Sequence, residues 1–437
     1  MEWYWAAVIL FGLGVALMML GIPVAIAFFA TNLVAAFLFM GGGPGIVQII
    51  NNGFGAMTAF PLVPIPMFLL MGELFFHTGL AGRCFNAADK LLGNVPARLS
   101  FVTLIGGTAF AGPAGSSMGS CALLGSLMVP EMSRRGYSKY LSIGPIMGVG
   151  GLAVIIPPSA LTVLLATLGR TDVGDLLIAG IIPGFLLALM YGVLIYGWTV
   201  FDPSAAPQTP APRVSRKEKL RLIVVDVIPM VGIIVFSVLV MIVGWCTPTE
   251  AAALGAVSVI ALAACYRELT WKAFLKSLDG SLRVTVMAFL IIFGSATFAQ
   301  VLAFTGASSG LMNWALSFKL EPMGMLLVMI GVLLFLGCFM DQLSMMLLTA
   351  PIFFPLAKVL GFDLTWFGLI MLLALEVGYT TPPFGLLLFV MKGVAPKGTT
   401  MREIYMAALP FIACVLILIG LIIVFPPLAT WLPKVSH

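Results

Sequence analysis

The chain is 437 residues long, 61% hydrophobic and only 9% charged, with a mean hydropathy of +1.14. That much apolar side chain must be solvated by lipid, so the sequence predicts an all-α polytopic membrane protein. The net charge of +5 comes from basic residues gathered in loops, as membrane topology explains without a nucleic-acid partner. His77 and His437 as the only histidines, with no CxxC among six cysteines, exclude most zinc sites and most Ser-His or Cys-His catalysis, so no enzyme is expected.

In chain order, the stretch from Met1 to Leu20 has no basic n-region and no small-residue cleavage site, and reads as a retained first span. Apolar runs at 3–20, 23–40, 61–80, 138–169, 175–201, 222–244, 249–265, 284–305, 363–394 and 404–426 predict ten crossings, against the roughly 20 residues a spanning helix needs. Segments 97–133 and 322–358 are apolar but fold around small or polar tips, Gly112 to Ser117 and Gly337 to Asp341. They are predicted re-entrant hairpins, because irregular backbone at membrane depth survives only where it is buried in protein or lines a cavity. Segments 46–57 and 268–282 look like interfacial struts. The stretch 202–221 holds four prolines and then Arg213, Arg216, Lys217, Lys219 and Arg221, and reads as a basic, Pro-rich cytoplasmic linker.

The two halves repeat. Pro23 and Pro248, Pro130 and Pro355, Gly136 and Gly361, Pro157 and Pro382, and Pro158 and Pro383 all stand 225 positions apart, as do Gly106 and Gly331, Phe110 and Phe335, and Gly112 and Gly337. A duplicated unit with Gly/Pro-interrupted apolar segments at matching places is the mark of a secondary transporter, with substrate and coupling ions expected at the breaks. Lys and Arg are abundant at the base of the first hairpin (Arg83, Lys90, Arg98, Arg134, Arg135, Lys139), while the second offers Lys319 and Lys358. The positive-inside rule then opens the first hairpin to the cytoplasm and the second to the opposite side, giving inverted-topology repeats with both termini outside. The expected division is repeat 1 at 1–201 (scaffold 1–58, transport part 60–201) and repeat 2 at 222–437 (scaffold 222–282, transport part 284–426).

Each repeat has a hairpin tip followed by a span broken at Pro-Pro. Two adjacent prolines remove backbone donors and free carbonyls, which suit a hard cation such as sodium. The candidate Na+ set is Gly115, Ser116, Ser117, Gly151, Ile155 and Pro157 in the first repeat, with Gly337, Asp341, Gly378, Thr380 and Thr381 in the second. The alternative is that the prolines merely kink the helices. Helix N-termini at the tips offer unpaired N–H groups for a small carboxylate, so Gly115, Ser116, Ser117, Asp341 and Thr380 are the candidate substrate contacts; the alternative is that the Gly/Ser run only permits close packing.

Intramembrane charge is costly and needs a reason. Asp341 aligns with Ser116 at a tip, where it can ligate sodium or orient ligands. Glu376 either tunes the cation site or pairs structurally. Glu73 and His77, four apart, form either a proton relay or a satisfied pair, and Thr247 with Glu250 reads as a helix cap.

The motifs Leu70-Met71-Gly72, Gly79-Leu80-Ala81, Phe110-Ala111-Gly112 with Gly115-Ser116-Ser117, Gly136-Tyr137, Ile156-Pro157-Pro158-Ser159, Ala179 to Gly184, Thr247-Pro248-Thr249-Glu250, Thr381-Pro382-Pro383-Phe384-Gly385 and Trp431-Leu432-Pro433 recur in order. Together they resemble the large membrane (M) subunit of tripartite ATP-independent periplasmic (TRAP) transporters over essentially the whole chain. The resemblance implies an elevator-type, ion-transporter-superfamily-like importer in the bacterial inner membrane, with Na+ as coupling ion and no organic cofactor. It implies three partners: a small four-span membrane (Q) subunit expected as a separate chain, a periplasmic substrate-binding (P) protein, and a small organic acid, carboxylate or sulfonate. A proton-coupled carrier of the same fold, or an ion channel, is the rival reading.

Overall fold

The computed structural model describes residues 2–114, 117–207, 214–338, 340–382, 385–396 and 398–436, apart from the side chains of residues 19 and 109–114. The first half runs α1 (Trp3–Met19), α2 (Val24–Phe39), α3 (Gly43–Met57), α4 (Pro64–His77), α5 (Leu80–Leu92), α6 (Arg98–Ala114), α7 (Ser117–Arg134), α8 (Lys139–Ile155), α9 (Ala160–Gly169), α10 (Val173–Ala179) and α11 (Ile181–Phe201). The second runs α12 (Arg216–Arg221), α13 (Ile228–Ile242), α14 (Pro248–Cys265), α15 (Trp271–Phe304), α16 (Ala307–Ser317), α17 (Pro322–Gly337), α18 (Gln342–Val359), α19 (Leu364–Thr380), α20 (Leu386–Val394), α21 (Met401–Val424) and α22 (Pro427–Ser436). No strand occurs among the described residues. Helices α7 and α18 begin and end 225 positions apart, and so do α8 and α19. The spacing seen in the prolines is thus also a spacing of helix boundaries.

Among the described residues, seven helical segments suit a membrane span by length and apolarity, or eight if α8 and α9 count as one span bent by 45°. Ten crossings were expected. The runs at 3–20 and 23–40 form helices of 17 and 16 residues, and the run at 363–394 is divided between α19 and α20. Each of these is shorter than one unbroken span. The segments expected as hairpins form the helix pairs α6–α7 and α17–α18, and α18 is itself one of the seven segments long and apolar enough to span.

One pair of matched segments differs between the halves. The strut expected at 268–282 and the span expected at 284–305 are a single 34-residue helix, α15, about 50 Å long at the usual rise. In the first half the same stretch is broken between α3 and α4, where Pro61, Pro64 and Pro66 stand. The second half has Val286, Phe289 and Ile291 at those places, so nothing interrupts its backbone hydrogen bonding. The linker also differs from expectation. Its basic end is helical, capped by Ser215 on the Glu218 amide, and leads through a π-helical turn at Leu222–Val227 into α13.

Close packing depends on small residues. The Asn32 amide of α2 donates to the Gly294 carbonyl at 2.8 Å and to Thr297 Oγ1 at 2.6 Å, joining α2 to α15. On α8, Gly144 and Gly148 lie under Phe411 of α21, where an added Cβ would come within 2.4 and 2.6 Å of the ring. In lipid, such approach and interhelical hydrogen bonding replace the hydrophobic drive available in water. Two basic residues of α5 pair with acids near the linker. Arg83 bonds Asp226 at 2.9 Å and Glu268 at 3.4 Å and lies over the Tyr266 ring, and Lys90 meets Glu218 at 3.7 Å. Thr247 and Glu250 form the expected capping box.

Candidate transport site

The two hairpins meet at one carboxylate. Ser117 opens α7 and Gln342 opens α18, so each sits on the first turn of an arm, close to its tip. Ser117 Oγ lies 2.9 Å from Glu376 Oε2 and 3.1 Å from the Gly150 carbonyl, so its single proton is shared between them. Gln342 Nε2 donates to the same Oε2. Glu376 comes from α19 and is 2% exposed, and its Oε1 has no hydrogen-bond partner among the described residues.

Glycine makes room for this side chain. The residue 225 positions before Glu376 is Gly151, and a Cβ there would lie 3.5 Å from Glu376 Cγ. One on Gly150 would lie 2.9 Å from Oε1. A small cavity of about 10 Å³, the size of about one water molecule, is bounded by Glu376, Gly151, Tyr191 and Thr380. A buried carboxylate oxygen without a donor beside such a space suits a small hard cation or a water, because an unpaired buried charge is otherwise expensive. No cluster of three or more His, Cys, Asp or Glu occurs among the described residues, so the donors here are carboxylate, hydroxyl and backbone oxygens.

Both spans break where the paired prolines predict. Helix α8 ends at Ile155 because Ile156, preceding Pro157, is extended; α9 restarts after Ser159, whose hydroxyl accepts from the Thr162 amide. The Val154 carbonyl freed by this break accepts from Ser159 Oγ at 2.8 Å and Thr162 Oγ1 at 2.7 Å. The Ile155 carbonyl abuts Gly180, where a Cβ would meet it at 2.0 Å. In the second half Thr381, preceding Pro382, is likewise extended. Thr380 Oγ1 donates to the Glu376 carbonyl at 2.9 Å and Thr381 Oγ1 to that of Val377 at 2.5 Å, which leaves hydroxyl lone pairs available.

The other predicted residues divide by role. Asp341 is the N-cap of α18, accepting from the Leu343 amide at 3.0 Å, the Ser344 amide at 3.3 Å and Ser344 Oγ. Its carboxylate therefore takes two of the amide groups that the sequence offered to a substrate anion at this tip. Gly337 and Gly378 pack backbone to backbone, joining α17 to α19, and a Cβ on Gly337 would fall 2.3 Å from the Gly378 carbonyl carbon. Gly115 and Ser116 lie outside the described residues, as do Pro383 and Phe384. Glu73 and His77 form a pair at 3.1 Å.

Gln342 and Gly150 were absent from the sequence-based candidates. The repeat spacing contained the signal for the first, since Gln342 is the counterpart of Ser117. Small hydroxyl residues are the usual sequence signal for oxygen ligands, and the Gln342 amide carries no such signal.

An all-helical membrane bundle in which matched hairpins and interrupted helices converge on a buried polar centre defines a secondary-transporter fold. The chain belongs to the DctM component family of tripartite ATP-independent periplasmic transporters, whose family model matches residues 11–428. It is 35% identical over 384 residues to the C4-dicarboxylate TRAP transporter large permease protein DctM of Pseudomonas aeruginosa, covering 86% of each chain. It is also 30% identical to the isethionate TRAP transporter permease protein DctMQ of Oleidesulfovibrio alaskensis, covering 93% of this chain and 63% of that longer one. The crystal structure of the Alcanivorax borkumensis YdaH transporter shares the fold, with a TM-score of 0.64 at 15% identity over 93% of this chain and 98% of that chain.

Proposed function

We propose that this chain is the large permease subunit of a sodium-coupled importer of small organic acids, C4-dicarboxylates or sulfonates such as isethionate, in the bacterial inner membrane. The observation that carries this reading is the meeting of Ser117 and Gln342, from the two hairpins, on the buried Glu376 between two broken helices. Both tips then depend on one small polar centre, and a cation bound there orders them together. The hydroxyls of Ser117, Thr380 and Thr381, the Glu376 Oε1 atom and the backbone at Gly151 supply oxygens of the kind sodium prefers. Ser116 at the first tip belongs to the same set. Anion binding falls chiefly to the first tip, because Asp341 occupies amides of the second.

The hairpins and broken helices form a mobile unit that moves past a scaffold of inverted symmetry, with both termini periplasmic. A separate small membrane subunit and a periplasmic binding protein complete the system. The family membership and the names of the relatives support the tripartite assembly and the organic-acid cargo.

The test is uptake of labelled succinate, fumarate and isethionate by proteoliposomes containing the chain and its partners. A sodium gradient should drive accumulation of at least one acid, and Ser116→Ala or Thr381→Ala should raise the sodium concentration for half-maximal uptake. Full-rate uptake in potassium with an imposed proton gradient overturns sodium coupling and favours the proton-coupled reading. A steady conductance without coupling favours a channel.

A further inference from the structure

We propose that a second cavity, lined by the half of α18 farther from the second hairpin tip, is an electropositive vestibule that collects the organic anion before it reaches the tips. The proposal rests on the function and orientation given above, which place this cavity on the periplasmic side. Its volume is about 730 Å³, within the range of small-molecule sites. Walls come from α3 (Asn51, Asn52), the end of α9 (Arg170), α15 (Ser295), α16 (Ser308) and the end of α18 (Lys358). It thus lies between a predicted scaffold element and both repeats' transport elements.

The charge is one-sided. Arg170 and Lys358 bring two cations, and no carboxylate is among the lining residues. Neither cation has an ion pair among the described residues. The acid nearest Arg170 in the chain, Asp172, lines a neighbouring cavity together with Arg170 and caps α10, accepting from the Asp175 amide at 2.9 Å.

Arg170 is also in a costly conformation. It ends α9 in the left-handed region at φ +53°, where glycine is the easier residue. Gly169 before it lies against the Phe354 ring of α18, where a Cβ would come within 2.4 Å. The helix end is therefore pressed on α18, with Arg170 in the cavity wall beside it. From Lys358 the wall of α18 runs back to Gln342, about 24 Å along the helix. A space this large holds a hydrated anion loosely, so its effect is on capture through the field of the two cations and not on tight recognition.

The experiment reads the field directly. In right-side-out membrane vesicles carrying the full complex, Ser308→Cys is reacted with an anionic sulfonatoethyl and a cationic trimethylammonioethyl methanethiosulfonate, with the parent protein correcting for native cysteines. The anionic-to-cationic rate ratio should fall about fivefold in Arg170→Gln/Lys358→Gln, and the effect should shrink in high salt. An unchanged ratio, or a Ser308→Cys thiol that does not react from outside, overturns the vestibule. Lys358→Gln alone, at an exposed position, gives a smaller fall and keeps the test decisive if the double variant is not recovered. Uptake of succinate is measured alongside, and its KM should rise about fivefold in the double variant at low salt. Absence of organic-acid uptake by the parent defeats the transport reading, while the reagent ratio still judges the electrostatics.

Discussion

Ser117 and Gln342, 225 positions apart and each the first residue of its helix, donate to the same oxygen of Glu376. The duplication thus supplies two equivalent donors but one acceptor. The counterpart of that acceptor is Gly151, which carries no side chain, and a Cβ on its neighbour Gly150 would lie 2.9 Å from Glu376 Oε1. Near-symmetry at the level of helices is broken at this residue, so that a single carboxyl group is shared between the repeats.

Removing the shared acceptor should disconnect both tips. Glu376→Gln keeps the shape but turns one oxygen into a donor facing Gln342, and uptake should fall at least tenfold, since a hydrogen bond to a charged group contributes about 1.5–3 kcal/mol. Ser117→Ala and Gln342→Ala should each lower uptake less. In a double-mutant cycle their effects should be non-additive, because both act through Glu376. Additive losses in proteoliposome uptake, or a Glu376→Gln variant as active as the parent, contradict the shared-acceptor account.

Much of this architecture was legible from prolines and glycines. Pro157 and Pro382 mark the breaks, and the 225-residue spacing places hairpin against hairpin and span against span. The α15 helix was less legible because apolar and amphipathic stretches join without any local signal once Pro61, Pro64 and Pro66 have no counterparts. At the site, residue type predicted oxygen-rich chemistry at Ser117, Thr380 and Thr381. It did not reveal that Asp341 caps its own helix or that Gln342 reaches Glu376. Those depend on side-chain direction and on contact across many residues, which repeat spacing alone does not encode.

Gly337 and Gly378 test packing separately from ligand chemistry. A Cβ at Gly337 would fall on the Gly378 backbone, which has no flexible side-chain end to yield. Gly337→Ala should separate α17 from α19 and destabilise the protein by about 1–3 kcal/mol, the usual cost of overpacking. Thermal unfolding in detergent reads this as a lower midpoint. Gly331→Ala, on the same α17 helix and with open space around it, serves as the control. Equal stability of the two variants would refute the close-contact argument.

The inverted arrangement is tested by sidedness. Lys90 pairs with Glu218 near the linker, whereas Lys319 lies just before the second hairpin. Under the positive-inside rule, Lys90→Cys should react with an impermeant thiol reagent only from the cytoplasm and Lys319→Cys only from the periplasm, in a background lacking accessible native thiols. Labelling of both from one side would sink the inverted-repeat proposal.

Asp341 carries two possible duties, and one substitution separates them. As N-cap of α18 it accepts from the Leu343 and Ser344 amides, a task that asparagine performs about as well. As a charge near the second tip it would help attract a cation, which asparagine cannot do. Asp341→Asn should therefore give a protein that inserts, assembles with its partners and unfolds at nearly the parental temperature. Its uptake at limiting sodium should fall about tenfold and recover in part at high sodium, since loss of a charged interaction of about 1.4 kcal/mol is one decade in affinity. Asp341→Ala, lacking cap and charge, should be less stable by about 1 kcal/mol as well. Parental uptake by Asp341→Asn at limiting sodium would reduce Asp341 to a helix cap, and the cation site would then be confined to Glu376 and the oxygens around it.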